Sequence, residues 1–160
     1  MRLTTYTDYS LRVLIYLGVR RDELVTIKQI SDHYGISNNH LLKVVHQLGL
    51  AGFVETIRGR NGGLRLARPA SLIVIGDVVR VMEQDMALVN CFEGGPEGGG
   101  VGGGVGGGCR IVSACVLKGA LNKALQAFLD VLDQYTLAQL VEPRTRLAEL
   151  LQLDRISDPA

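Results

Sequence analysis

Cys91, Cys109 and Cys115 are the only cysteines of the 160-residue chain, and they follow one another as C-x17-C-x5-C. Thiolates are soft ligands and good nucleophiles, so such a group can bind a metal centre, act as a thiol redox switch, or remain unligated. A closed structural zinc site fits poorly, since it wants four ligands and usually paired C-x2-C spacing. An iron–sulfur cluster accepts three cysteines with a different fourth ligand, and the iron carrying that ligand is easier to attack. With no apolar signal region at Met1–Tyr6, the expected compartment is a reducing one, which argues against a disulfide framework. The spacing itself leaves the cluster, the redox switch and unligated thiols all open.

Between the first two cysteines lies a low-complexity tract, Gly94–Gly108, in which eleven of fifteen residues are glycine. It contains G-x-G-x-x-G only trivially. No strand precedes it and no helix follows it directly, so the expectation is a flexible linker and not a phosphate site. Lengthening a loop from about five to about seventeen residues adds only about 1 kcal/mol of closure entropy, because the cost grows with the logarithm of length. A ligand set can survive such an insertion.

The elements that would position these thiols begin with a helix over the apolar stripe Leu11, Leu14 and Ile15. Thr5, with Asp8 three residues on, is its expected cap, and the Asp8 carboxylate complements the helix dipole. Thr26 and Gln29 form a capping box for a second helix, which Gly35 ends. Ser37 caps a third, with Leu41, Leu42, Val45 and Leu48 marking its apolar face and its end near Gly52. Two helices joined by Gly35-Ile36-Ser37 make a helix-turn-helix. Phe53–Ile57 and Leu64–Ala67 have strand composition, and Arg58-Gly59-Arg60-Asn61-Gly62-Gly63 reads as the loop of a hairpin between them. A helix-turn-helix followed by a hairpin is a winged helix. The candidate DNA contacts are Thr26, Ser37, Asn38, Asn39, His40 and Lys43 on the helices, with Arg58, Gly59, Arg60 and Asn61 at the wing tip. A short core helix from Ile75 through Met82 follows.

Beyond Cys115, Leu117, Leu121, Leu125, Phe128, Leu132 and Tyr135 are spaced as the seam of a long helix, widened by Ala120, Ala124, Ala127 and Val131. So apolar a helix must bury against something, and a second copy of itself is the better expectation, which would set two recognition helices on a two-fold DNA site. Short helices are expected around Thr136–Leu140 and Arg146–Leu153, separated by Pro143. The fold class is therefore mainly α with a small β-hairpin wing, a winged helix-turn-helix carrying a long C-terminal dimerisation helix. Four regions are expected: residues 1–83, the DNA-binding domain; 84–116, the cysteine loop; 117–141, the dimerisation helix and following turn; and 142–160, a tail.

Charge is asymmetric in the same sense. Residues 1–69 hold ten Lys and Arg against five Asp and Glu, and residues 70–160 hold seven against eleven, net charges of +5 and −4. The first half has the sign for nucleic acid. The longest apolar runs are far too short to span a bilayer, so a soluble cytoplasmic protein is expected. No nucleophile elbow, paired-carboxylate constellation or P-loop is present, so an enzyme is not.

The segments TTYTDYSLRVLIYL, ISDHYGISNNHLLKVVHQL, AGFVETIRGRNGGLRLARP, IGDVVRVME, LVNC, LKGALNKALQAFL and YTLAQLV resemble the nitric-oxide-sensing repressors of the Rrf2 superfamily of winged-helix regulators. The match covers most of residues 1–141. The resemblance implies a homodimer with one iron–sulfur cluster, [2Fe-2S] or [4Fe-4S], per subunit. It implies cluster ligation by Cys91, Cys109 and Cys115, with Asp8 of the partner subunit as the fourth ligand. It further implies that the loaded dimer binds operator DNA and releases it when nitric oxide attacks the cluster. A regulator sensing cluster status or oxidative stress, or a thiol switch, is the alternative. The family's gap between the first two cysteines is short, whereas here the glycine tract fills it.

Overall fold

The computed structural model describes residues 2–21, 23–83, 85–89, 109 and 111–153. Cys91 and the tract 94–108 lie outside the described residues.

Helix α1 (Thr5–Val19) runs through the middle of the molecule. Its N-cap is Thr4 and not the expected Thr5: Thr4 has extended backbone and its hydroxyl accepts from Thr7 N. The reason for the one-residue shift lies elsewhere in the chain. Glu83 Oε1 accepts from Thr4 N at 2.6 Å and from Thr4 Oγ1 at 3.1 Å, fixing Thr4 in the capping geometry. Val13, Leu14, Tyr16 and Leu17 on α1 are fully buried and form the floor on which the other elements pack.

Helices α2 (Ile27–Tyr34) and α3 (Asn38–Leu50) form the helix-turn-helix. Thr26 and Gln29 make the full capping box, Gly35 closes α2 in the left-handed conformation, and Ser37 caps α3, all as the residue types require. Strands β1 (Val54–Ile57) and β2 (Gly63–Leu66) pair antiparallel from Val54↔Leu66 to Ile57↔Gly63. A bridge between Val25 and Leu64 then ties the segment leading into α2 to the wing, so the hairpin is anchored to the helix pair at its root. At the tip, a Cβ on Gly62 would stand 2.2 Å from Ile57 O, so only glycine lets the loop close there.

After a 3-10 turn at Ala70–Leu72, helix α4 (Ile75–Met82) buries Val78, Val79 and Met82, as its pattern predicts. Helix α5 (Val116–Asp133) packs on α4 near its C-terminal end, where Arg80 donates to both Asp133 oxygens at 2.7 and 2.5 Å. Helices α6 (Leu137–Leu140) and α7 (Arg144–Leu150) follow. Thr136 makes a second capping box with Gln139 and bridges to Val74, which delivers Leu137 fully buried into the core under α1. Arg144 Nε donates to Val19 O at 2.8 Å, satisfying a carbonyl at the C-terminal end of α1. The core of the winged helix therefore uses residues from both ends of the chain.

The apolar stripe of α5 divides in two. Leu129 is the buried residue of the helix among those described, with Leu125 and Leu132 half-buried beside it. On the other side Leu117 is 64% exposed and Val131 52% exposed, and Ala120, Ala124 and Ala127 are exposed with them.

Candidate nucleic-acid interface and cysteine site

Helix α3 is held by Leu41, Val44, Val45 and Leu48, all buried, which turns Asn38, Asn39, His40, Lys43, His46 and Gln47 outward. Ser37 Oγ is occupied by the cap, accepting from His40 N at 3.4 Å. The His40 ring lies tilted against Tyr9 with centroids 6.1 Å apart, so its orientation is set by α1. Thr26 is exposed at the start of α2, but its hydroxyl both accepts from Gln29 N and donates to Gln29 Oε1.

At the wing, Arg58, Gly59, Arg60 and Asn61 are all exposed. Neither Arg58 nor Arg60 enters an ion pair among the described residues, whereas Arg65 pairs with Glu55 across the hairpin and Arg68 lies 4.5 Å over the Phe53 ring. The hairpin thus has structural arginines at its base and uncommitted ones at its tip. Such a tip can follow a phosphate backbone or enter a narrow minor groove.

Cys115 is the N-cap of α5, half-buried, and its Sγ accepts from Lys118 N at 3.4 Å. Cys109 is exposed. An anionic metal-bound sulfur at Cys115 would sit at the positive end of an 18-residue helix and receive a backbone N–H, an arrangement that suits thiolate ligation. Asp8, half-buried in the first turn of α1, pairs with Arg12 at 3.0 Å. It lines a cleft of about 670 Å³ that Tyr34, Gly35 and Ile36 at the helix-turn-helix corner also line. The Arg12 guanidinium lies 5.8 Å from the centroid of the Tyr34 ring. Burial pushes the Tyr34 phenol above its ordinary value, with Arg12 opposing that shift. No three His, Cys, Asp or Glu side chains converge as a metal site among the described residues, so one chain does not bring Asp8 together with Cys109 and Cys115.

Glu83 escaped the reading of the sequence. It is 8% exposed, stands at the end of α4 where the cysteine loop begins, and holds the first turn of α1 through Thr4. With Thr4, Tyr6, Lys43, His46 and Gln47 it lines a cavity of about 530 Å³, so the end of α4 and helix α3 border the same space. The only sequence trace of it is an acidic residue directly after an apolar helical stripe.

The Rrf2 family, described as an iron-dependent transcriptional regulator, matches residues 3–143. The HTH-type transcriptional regulator NsrR of Bacillus licheniformis is 51% identical over 152 residues, covering 94% of this chain and 99% of that protein. NsrR of Bacillus subtilis is 49% identical over 154 residues, covering 96% of this chain and 99% of that protein. Among solved structures, T. potens IscR superposes with a TM-score of 0.67 at 24% identity, covering 98% of this chain and 94% of that one, a likeness of fold.

Proposed function

Since the chain belongs to the Rrf2 family of winged-helix transcriptional regulators, and is by that kinship a regulator and not an enzyme, we propose that it is a nitric-oxide-responsive repressor. A homodimer loaded with an iron–sulfur cluster binds operator DNA and lets go when nitric oxide reacts at the cluster. Cys91, Cys109 and Cys115 would hold the cluster, with the partner subunit's Asp8 as fourth ligand. When bound, the cluster supplies iron open to attack by nitric oxide, most readily at the position without a thiolate.

The observation that carries this reading is the placement of Cys115 at the N-cap of α5, where helix and backbone favour an anionic sulfur. The chain's own residues supply the coupling. Asp8 is held by Arg12, and Arg12 lies over Tyr34, directly before the Gly35 corner. A carboxylate committed to the partner subunit releases Arg12, which changes what supports the end of α2 and so biases the setting of α3. Glu83 ties the entry of the cysteine loop to the same turn of α1. Two arrangements of this region, one competent for DNA, make a population shift and not a stepwise relay. The exposed face of α5 supports a two-fold partner, and α3 and the wing tip support DNA contact.

Anaerobically purified protein should show cluster absorption and a Mössbauer signature and bind a palindromic operator, and stoichiometric nitric oxide should abolish all three. Colourless protein whose DNA affinity ignores nitric oxide would end this reading.

A further inference from the structure

On the outward face of α3 stands one side chain that hydrogen bonding does not account for. Leu42 is 54% exposed, although it sits in the first half of a helix otherwise polar on that side. Isolated surface leucines are ordinary and need no explanation. Its neighbours are what give this one meaning. Residues four apart share a helix face, so Leu42 continues the row from Asn38 to His46, beside the row of Asn39 and Lys43. All five are exposed. Gly49, seven positions on and on the same side of the helix, would place a Cβ 3.7 Å from Val54 O, so Leu42 lies on the flank of α3 that looks toward the root of the wing.

We propose that Leu42 is a specificity-determining residue that reads the 5-methyl group of a thymine in the major groove. Among the four bases only thymine presents an apolar group there, and Leu42 is the one wholly apolar side chain among these five exposed residues. Asn38 and Asn39 have the amide chemistry to pair with an adenine edge, and the adenine's partner brings its methyl into the same groove. An asparagine and a leucine one turn apart therefore form a reader for A·T pairs. The leucine carries no charge, so nothing polar desolvates at a cost when the methyl is covered. This inference rests on the reading of α3 as the recognition helix.

The test begins with a random pool of double-stranded DNA, from which the full-length, anaerobically prepared protein selects a binding duplex. Each thymine of that duplex is then replaced in turn by deoxyuridine, which removes the methyl and leaves the pairing edge intact. Covering one methyl is worth about fourfold in affinity. Wild type should lose about that factor at one thymine per half-site, and Leu42→Ala should bind the thymine and deoxyuridine duplexes equally at that position. Leu42 is exposed and alanine favours helix, so the variant should keep wild-type circular dichroism. Identical deoxyuridine profiles for the two proteins would overturn the inference while leaving DNA binding intact. Failure to enrich any duplex, or unchanged affinity in Lys43→Ala together with Arg58→Ala and Arg60→Ala, would overturn the recognition-helix reading and the Leu42 assignment with it.

Discussion

Arg58 and Arg60 differ from Arg65, which pairs with Glu55, and from Arg68, which lies over Phe53, in having no such partner among the described residues, and that difference predicts separable phenotypes. Replacing both by Ala should weaken operator binding and flatten the slope of log affinity against log salt by about 0.9 for each phosphate no longer neutralised, in a fluorescence-anisotropy titration. Arg65→Ala should instead act mainly on the hairpin, because its charge is spent on Glu55. Gly62→Ala is a sharper probe. Its Cβ meets backbone at Ile57 O and Gly59 O, neither of which is a side chain that can swing away. The tip must rearrange, so DNA affinity should fall while helical circular dichroism is unchanged. Retained affinity in Gly62→Ala would mean that the wing tip does not touch the DNA.

At the scale of elements, the docking of α5 on α4 depends on Arg80 and Asp133. The Arg80 guanidinium, through its hydrogen bonds, holds the Asp133 carboxyl below the ordinary carboxylate range. A carboxyl depressed in the folded state contributes stability above its unfolded value, and that contribution is lost as pH falls through the folded one. The melting temperature of Asp133→Asn should therefore lie below wild type at neutral pH, with the gap closing in acid below about pH 4. Gly76 belongs to the same contact, since a Cβ there would come 1.9 Å from Asp133 Oδ1. In a Gly76→Ala background the Asp133 side chain must swing away, so the pH-dependent gap should vanish from that melting series.

The local elements were legible because their grammar is local. Thr26 with Gln29, Gly35 and Ser37 act within four residues of themselves, and the structure bears out each. The start of α1 was not, because Thr4 is chosen over Thr5 by Glu83, 79 residues away. Leu129 was missed for the same reason: a helix stripe broad enough for two partners does not say which edge faces its own domain. Arg80 with Asp133 and Val25 with Leu64 are likewise pairs that only the tertiary fold brings together. Of the candidate site, the outward display of the polar residues of α3 and of the wing tip followed from helix periodicity and turn chemistry, whereas Leu42, expected on the buried face, is 54% exposed, with Val44 buried in its stead. The seat of Cys115 as a helix cap did not, since cysteine is not a usual capping type.

For the whole molecule, the free edge of α5 predicts association. Ala124 is exposed, so Ala124→Lys should leave the melting of the isolated chain nearly unchanged but shift sedimentation from dimer to monomer and abolish operator binding. A variant that stays dimeric would place the two-fold interface elsewhere. Leu137→Ala should behave in the opposite way. Its side chain is fully buried under α1, so the change should cost about 2–5 kcal/mol of stability in denaturant melts.

The burial of Leu137 and the hydrogen bond from Arg144 to Val19 also bear on the order in which the molecule comes into being. A ribosome makes the winged helix first, but the last core side chain and the cap on the end of α1 are translated only after α5. A nascent chain thus lacks part of the winged-helix core until α5 has been made. Truncation ahead of α6 should therefore cost stability in the winged helix that lies upstream of it.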